Sequence, residues 1–312
     1  MSRVGMVGAR VAQIVPTILL IGVVVFVLAR LLPGDPVSAM LGDRATDEAV
    51  NRLRTQMGFD APIWTQFVLF IEHAVRGDLG NSIAYRVPVM RLVGERLPVT
   101  LMLTGLATLL ALLMAVPLAI VSATSAGRWP DYVVRAVFQV GLSSPIFYVG
   151  LIMLTIFAAE LRWFPVGGYG TGFIDHLYHL LLPAAALALS FSAVIMRNLR
   201  AALLDVLQAE FVDFAVAKGL RRRVIMLRHV LRNAGISTVA LVGLHVGSLL
   251  GGAVITESVF AVPGVGRLMI DSIFARDYPV IQALTLVLAV LVSLAFLATD
   301  LLQIWLDPRI AR

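Results

Sequence analysis

Six long runs without a charged residue divide this chain, and they limit its possible folds more than any other feature. A helix that crosses a lipid bilayer needs about 20 consecutive apolar residues, and the shortest of these runs has 19. The chain is 59% hydrophobic and only 14% charged, unlike a water-soluble domain. We therefore predict an all-α membrane protein with six transmembrane helices. The runs are Val11–Ala29, Leu97–Gly127, Ala136–Ala159, Leu177–Met196, Asn233–Thr256 and Tyr278–Thr299.

The distribution of basic residues predicts which side of the membrane each connection faces. Short cytoplasmic connections of membrane proteins are rich in Lys and Arg. One side of the predicted bundle holds both termini and the connection from Arg197 to Arg232, which contains eight basic residues. The short connections on the other side hold only Arg162, Arg267 and Arg276. We therefore expect both termini to be cytoplasmic.

The predicted spans divide the chain into three parts. Residues 1–30 form a cytoplasmic end and the first span, residues 31–96 form a folded extracytoplasmic loop, and residues 97–312 form a core of five helices that includes the cytoplasmic connection 197–233. A cleaved signal peptide is the alternative for the first span, but its apolar run is unusually long for one. Helical spacing predicts short loop helices over Asp47–Met57 and from Asp60 to Gly77, which either cap the bundle or dock an external partner.

Several kinds of site are excluded by residues that this sequence lacks. It has no cysteine, and its single lysine, Lys218, is followed by Gly219. A Walker A loop needs Lys followed by Ser or Thr, so we expect no ATP site, no enzyme activity and no bound cofactor. The predicted spans contain no charged residue between their ends, whereas ion-coupled carriers keep such groups inside the membrane. Glu257 and Asp300, at span ends, are expected to be interfacial or capping groups.

Three histidines are the remaining candidates for chemistry near the membrane. His245 lies in the middle of the fifth span, where it either faces a solute or relays a proton, or else bonds to a neighbouring helix. His176 and His179 have a spacing that can place two imidazoles on one metal. Only Asp175 is available nearby as a third ligand, so interfacial histidines without a metal are the simpler interpretation.

A stripe of glycines surrounds His245 in the fifth span. Gly243, Gly247 and Gly251 recur every four residues, which places them on one helix face where two backbones can approach closely. We expect this face to pack against another helix of this chain or of a partner subunit.

The connection between the fourth and fifth spans carries the most informative pattern. Its apolar residues follow a helical period, and Gly219 can adopt the positive φ that ends a helix. A second, arginine-rich helix is expected from about Leu220. This elbow is either a rigid lever with an apolar face or a basic loop that only fixes the topology. The residues at helical spacing are Leu207, Phe211, Phe214, Ala215 and Lys218.

The elbow resembles the cytoplasmic coupling motif of ABC-importer permeases. That motif reads Glu-Ala-Ala, three residues, Gly, nine residues and Ile-x-Leu-Pro, and Gly219 matches its glycine. The departures from it resemble the dipeptide/oligopeptide/nickel branch of the family. The other motif positions hold Asp213, Phe214 and Ala215 in place of Glu-Ala-Ala, and His229, Leu231 and Arg232 in place of Ile, Leu and Pro.

Further blocks resemble the same branch along nearly the whole chain. Any one of them is weak, but their combination is specific. They are Leu32–Pro36, Gly77–Gly80, Ser144–Phe147, Leu182-Pro183, Thr256–Phe260, Pro263–Gly266 and Arg276–Pro279.

The resemblance implies a type I ABC-importer permease fold in a bacterial inner membrane and a function that depends on partners. Two homologous permeases would form the pathway, two ATPase subunits would bind ATP and Mg²⁺, and an extracytoplasmic binding protein would deliver the solute; no nucleic-acid partner is implied. The expected solutes are di- and oligopeptides. The alternatives are nickel chelates, glutathione or another small solute in the same machine and, more remotely, a stand-alone ion-coupled carrier. The implied coupling residues are Phe211, Asp213, Phe214, Ala215, Lys218, Gly219, His229 and Leu231, with Phe211, Phe214 and Ala215 as the docking face.

Overall fold

The computed structural model describes residues 3–31, 46–56 and 60–306, which form helices joined by short connections. Within these ranges the only β pairing is an isolated bridge between Asn81 and Pro88. A π-helical segment, Leu154–Glu160, continues the helix Ile146–Met153. A helical turn, Arg222–Val224, with a second π-helical segment, Ile225–Val230, leads into the helix Leu231–Val259. The helices are α1 (Arg3–Leu31), α2 (Asp47–Gln56), α3 (Ile63–Val75), α4 (Val89–Thr124), α5 (Trp129–Ser143), α6 (Ile146–Met153), α7 (Phe173–Leu207), α8 (Glu210–Ala217), α9 (Leu231–Val259), α10 (Val265–Phe274) and α11 (Tyr278–Leu306).

Four helices in the described part of the chain are long and apolar enough to cross a membrane, namely α4, α7, α9 and α11. A fifth span results if α5 and α6 are taken as one broken span. Helix α1 coincides with the first predicted span, but the apolar part among its described side chains, Ala12–Val27, is shorter than a span. Four or five of the six predicted spans are therefore found, and the full set of six stays a prediction.

The uncharged run Ala136–Ala159 suggested one straight helix for the third predicted span, but the structure has a bent pair of helices there. Helices α5 and α6 meet at an angle of 104°. The break falls at Ser144, which has the extended ψ of 131°, because a residue that precedes proline is sterically disfavoured in the helical region. Pro145 also lacks the N–H that would continue the helix.

Two spans extend well beyond their uncharged runs. Helix α4 begins at Val89 rather than at Leu97, and α7 continues from the predicted end at Met196 to Leu207. Charged side chains near a span end mark the edge of the apolar layer and not the end of the helix. The predicted boundary between residues 96 and 97 therefore falls inside α4.

The core lies between α4 and α7, which form the most extensive helix pair in the described structure. Helix α4 contributes a row of fully buried alanines at a spacing of four residues. Small residues at this spacing let two helix backbones approach closely. Buried Leu180, Leu187 and Ile195 of α7 belong to the same apolar cluster. The alanines are Ala107, Ala111, Ala115 and Ala119.

The glycine stripe of α9 meets α11 at two of its three positions. A Cβ atom on Gly243 would overlap the side chain of Thr299, and one on Gly247 would lie 3.3 Å from the ring of Phe296. A Cβ atom on Gly251 would meet no described atom within 4 Å. The close approach of α9 is therefore to another helix of the same chain, at Gly243 and Gly247.

Helix α3 packs against α1 through aromatic side chains. The ring of Phe26 lies 5.2 Å from that of Phe67 and 5.8 Å from that of Phe70. Trp64, on the same short helix, remains exposed. Helices α2 and α3 correspond to the two predicted loop helices; Met57, the expected end of the first, lies outside the described residues.

Candidate functional site

Helix α8 is a short amphipathic helix between α7 and α9. It begins after Ala209, whose backbone is extended, so α7 and α8 are separate helices rather than one. Phe211 and Phe214 are exposed, and Phe214 has 68% of its surface uncovered. Val212 and Ala215 are buried. Ala215, which was expected on the docking face, instead packs inside the elbow, because its small side chain falls on the inward face of the helix.

Gly219 ends α8 in a Schellman arrangement. Its φ is +75°, its N–H donates to the carbonyl of Val216 at 2.9 Å, and the N–H of Leu220 donates to the carbonyl of Ala215 at 3.2 Å. These two bonds satisfy carbonyls that the helix end would leave open. A Cβ atom at Gly219 would meet no described atom within 4 Å. Glycine is therefore required there by backbone conformation and not by crowding.

The segment after Gly219 is only partly the second helix that the arginines suggested. A single helical turn, Arg222–Val224, is followed by the π-helical segment Ile225–Val230, which runs directly into α9. Ile225 and Val230 are buried, so this segment is anchored to the bundle. His229 and Leu231 are half-buried at the junction with α9. The elbow is thus continuous with the fifth span.

The exposed apolar side chains of this connection form what we call the α8 patch. Lys218, Arg221, Arg222 and Arg228 are exposed in the same connection, as is Asp213. Exposed apolar surface with polar residues around it is typical of a protein–protein contact. Only the two phenylalanines were anticipated from the helical period, since the others lie beyond α8 or near its end. The patch consists of Phe211, Phe214, Val216, Leu220, Val224 and Leu227.

A buried ion pair ties three helices together at the end of the bundle that holds α8. Arg200 of α7 donates from Nε and Nη2 to the two oxygens of Asp131, each at 2.8 Å. The hydroxyl of Ser122, in α4, donates to Asp131 Oδ1 at 2.5 Å, and the N–H of Gly127 donates to Oδ2 at 3.1 Å. Asp131 is fully buried and Arg200 keeps 19% of its side chain exposed. A paired carboxylate of this kind is a strong directional tie.

A second buried carboxylate lies at the other end of the bundle, which holds α10. Glu257 was expected to be an interfacial or capping group, and it is completely buried. Its Oε1 accepts from the hydroxyl of Thr100 at 2.6 Å, and its Oε2 accepts from the N–H of Arg267 at 3.0 Å. The hydroxyl of Thr100 also accepts from the N–H of Val265 at 2.9 Å. Glu257 therefore joins α4, α9 and the start of α10. It is buried rather than interfacial, and its bond to the N–H of Arg267 in the first turn of α10 agrees with the capping alternative.

Two glycines let the chain pass close to this carboxylate. A Cβ atom on Gly264 would overlap the carboxyl group of Glu257, and one on Gly266 would overlap the backbone of Val254. Both glycines belong to the block Pro263–Gly266 that resembled the permease family. Their role here is close approach of the backbone to Glu257 and α9.

A third buried carboxylate holds the turn that precedes α4. Asp277 accepts from the hydroxyl of Ser82 at 2.5 Å and from the N–H groups of Ile83 and Ala84 at 3.1 and 3.0 Å. The Ser82 hydroxyl accepts from the N–H of Tyr85 at 2.9 Å. Two segments almost two hundred residues apart in sequence, the turn of residues 81–88 and the start of α11, are thus fixed to each other.

The histidines do not form a metal site in the described part of the chain, where no group of three or more potential ligands occurs. His176 stacks on Tyr169 with 3.8 Å between ring centroids, and His179 is bonded to Asp175. His245 is half-buried, lies 3.3 Å from the hydroxyl of Ser248 on its own helix, and contacts the ring of Phe191 in α7 at 5.6 Å between centroids. Its observed contacts are therefore those of a packed side chain.

Asp131, Arg200 and Asp277 were not among the sequence-derived candidates. The one signal was that Asp277 belongs to the block Arg276–Pro279. Asp300, the other carboxylate expected at a span end, is half-buried in α11.

Two family models match this chain. The model described as binding-protein-dependent transport system inner membrane component matches residues 115–312. The model for the N-terminal part of the membrane component of such systems matches residues 4–104. The elbow, Asp131, Glu257 and Asp277 all lie within the first match.

Curated proteins of similar sequence span almost the whole chain. The probable peptide ABC transporter permease protein y4tP of Sinorhizobium fredii is 34% identical over 304 residues, which are 96% of this chain and 97% of that protein. The glutathione transport system permease protein GsiC of Escherichia coli is 37% identical over 301 residues, again 96% of this chain and 97% of that protein.

A solved structure has a similar fold. The inward-facing MetNI methionine ABC transporter contains a chain that matches with a TM-score of 0.60 and 17% identity, covering 70% of this chain and 97% of that one.

Proposed function

Because the chain belongs to the family of binding-protein-dependent transport system inner membrane components, we propose a specific role for it within such an importer. It is a permease component of an ABC importer. With a homologous second permease it forms the pathway for peptides. Two ATPase subunits dock beneath this pair, and one of them binds at the α8 patch. An extracytoplasmic solute-binding protein docks at the end of the bundle that holds α10.

The observation that carries this proposal is the α8 patch and its connections. Phe211 and Phe214 offer apolar surface to a partner, and the Schellman end at Gly219 sets the direction of the chain beyond α8. Only two residues separate α8 from α7, and the π-helical segment joins the elbow to α9 without a break. Movement of a bound ATPase is therefore transmitted to two spans at once. ATP and Mg²⁺ bind the ATPase subunits, and this chain binds neither.

The proposed sidedness places α8 in the cytoplasm and α10 outside. It follows from the eight basic residues between Arg197 and Arg232, since such residues accumulate in short cytoplasmic connections. The chain has no cysteine, so single cysteines can be introduced without background. In intact cells an impermeant maleimide should label Ala84→Cys but not Lys218→Cys, both of which are exposed positions. Labelling of both from outside contradicts the sidedness.

The proposed solutes are di- and oligopeptides, on the basis of the peptide and glutathione systems named for its relatives. The test is uptake of a labelled dipeptide into vesicles that contain the complete importer. The binding protein is supplied on the α10 side of the membrane and ATP on the α8 side. Unlabelled oligopeptide, glutathione and a nickel chelate are compared as competitors. Competition by peptides alone supports the proposal, whereas competition by glutathione or the nickel chelate alone assigns that solute instead. ATP-dependent uptake should need all subunits, and hydrolysis by this chain alone would contradict the division of labour.

A further inference from the structure

A small cavity lies at the end of the bundle that holds α10. It has a volume of 220 Å³ and forms where the beginning of α4 meets the connection into α10. Its lining includes Tyr85, Arg96, Arg267 and Asp271. None of these side chains belongs to the α8 elbow.

Arg96 is the unusual group in this cavity. Its Nε atom is buried and has no hydrogen-bond partner among the residues that the structure describes. Its Nη1 makes one long bond, 3.4 Å, to the carbonyl oxygen of Pro263. A buried donor without an acceptor costs free energy. A carboxylate is the acceptor whose two oxygens best match the donors of a guanidinium.

The described acidic side chains around the cavity do not supply this acceptor. Glu257 already accepts from Thr100 and from the backbone of Arg267. Asp271 is half exposed, and its carboxylate lies 3.9 Å from Nε of Arg267. Arg86 and Arg276, at this same end, are exposed as well. In the lining of the cavity itself, Arg96 and Arg267 stand against the single carboxylate of Asp271, which favours an acidic ligand.

We propose that this cavity binds a carboxylate, and that the carboxylate is an Asp or Glu side chain of the solute-binding protein. The inference rests on the proposed function, in which that protein docks at this end. The cavity is smaller than the roughly 300–1,000 Å³ of small-molecule pockets, so it suits one inserted side chain rather than a peptide. Tyr85 and Phe274, the latter 84% exposed, add aromatic surface of the kind enriched at protein interfaces.

The walls of the cavity are held in place before any partner arrives. Thr100 fixes the backbone of Val265, and Glu257 fixes that of Arg267, both in the first turn of α10. Asp277 fixes the turn that carries Tyr85. A preformed site loses less entropy when it binds, so a single carboxylate can contribute to specific docking.

The test measures the Kd of the purified binding protein for the complete importer in lipid nanodiscs, for Arg96→Gln and, separately, Arg267→Gln. We expect each variant to raise Kd by about 10-fold or more, as for loss of a hydrogen bond to a charged group, and to flatten its dependence on salt. Arg91→Gln is the matched control, because Arg91 is an exposed arginine of the same helix that does not line the cavity; its Kd should equal that of the wild type. Equal recovery of assembled complex shows that the variants fold. Arg267, whose side chain is 41% exposed, keeps the test valid if Arg96→Gln does not assemble.

The source of the carboxylate is decided by measuring Kd with and without bound solute. The same loss of affinity in both cases supports a side chain of the binding protein. That side chain is then the Asp or Glu of the binding protein whose replacement does not raise Kd further when the permease already carries Arg96→Gln. A loss that appears only with solute bound assigns the carboxylate to the solute and overturns the proposal, as does a Kd within twofold of the wild type for both variants. If the wild-type complex shows no binding of a binding protein and no ATP-driven uptake, the proposed function fails and this inference falls with it. If the wild-type importer takes up solute normally and neither Arg96→Gln nor Arg267→Gln changes Kd, only this inference fails and the proposed function stands.

Discussion

Replacing Phe214 with aspartate is expected to release the ATPase from the importer. Phe214 lies on the exposed face of α8, with 68% of its surface uncovered. It makes little contribution to the packing of this chain, so the variant should insert and fold. A carboxylate at this position would remove the apolar contact and would have to be dehydrated on docking.

The size of the effect follows from the area that docking can cover. A phenylalanine side chain buries roughly 150–250 Å², so the uncovered 68% of Phe214 amounts to roughly 140 Å². At about 25 cal/mol per Å², full coverage contributes about 3 kcal/mol. Loss of this contribution raises the Kd of the ATPase by about 100-fold, before the cost of the buried carboxylate is included.

The assay is co-purification of the ATPase subunits with the tagged permease from membranes, followed by solute-stimulated ATP hydrolysis in reconstituted vesicles. Phe173→Asp is the matched control. Phe173 begins α7 at the opposite end of the bundle and is 70% exposed, so the same substitution changes charge and hydrophobicity equally. We expect the control to retain the ATPase and Phe214→Asp to lose it.

Equal recovery of the ATPase with the two variants would refute the reasoning. Either the elbow would then be a basic loop that only fixes the topology, or the α8 patch would bind a different partner. A loss of both permeases from the membrane in Phe214→Asp would also refute it, since the argument requires that the side chain is dispensable for folding.

Four further substitutions test three other parts of the structure. Gly219→Val should leave insertion intact but lower the ratio of solute transport to ATP hydrolysis. A φ of +75° costs an L-residue about 1–2 kcal/mol, and the elbow would shift to relieve this strain. An unchanged ratio in vesicles would count against the role of the elbow as a lever. Asp131→Ala should lower stability by about 3–5 kcal/mol, since it leaves Arg200, whose side chain is only 19% exposed, without its carboxylate partner. A thermal unfolding scan in detergent checks this, and an unshifted midpoint would contradict it. Gly243→Ala should destabilise by about 1–3 kcal/mol through overpacking against α11, whereas Gly251→Ala, which has free space, should be neutral or stabilising by up to ~1 kcal/mol; equal unfolding midpoints would show that the stripe does not pack as described.

The parts of the fold that the sequence predicts are those governed by local rules. An uncharged run predicts a span because each charge in the bilayer is costly. Four of the runs overlap α4, α7, α9 and α11, each of which is longer than its run. Gly219 is predictable because few residues other than glycine tolerate its φ. The exposure of Phe211 and Phe214 on one face of α8 follows from the helical period, because the two residues are three positions apart.

The parts that could not be predicted depend on partners far away in the chain. Glu257 is buried because of Thr100, which is 157 residues distant, and Asp277 because of Ser82, which is 195 residues distant. A carboxylate beside a span looks interfacial in the sequence whether or not such a partner exists. The bend before Pro145 was missed for a different reason, since an uncharged run gives the length of an apolar segment and not its direction.

The three buried carboxylates divide the bundle into two tied ends and a middle without such ties. Asp131 joins α4, α5 and α7 at the α8 end, while Glu257 joins α4, α9 and α10 at the other. Between them the helices contact each other through apolar side chains, with alanines and glycines at close approaches, and such packing is non-directional. Hydrogen-bonded charges are costly to separate, whereas packed helices can slide by small shear movements. Movement imposed on α8 is therefore expected to carry the α4–α5–α7 end as a unit. Helix α4 takes part in both tied ends, and α9 joins the elbow to Glu257. We therefore expect these two helices to convey this movement across the membrane to the cavity side.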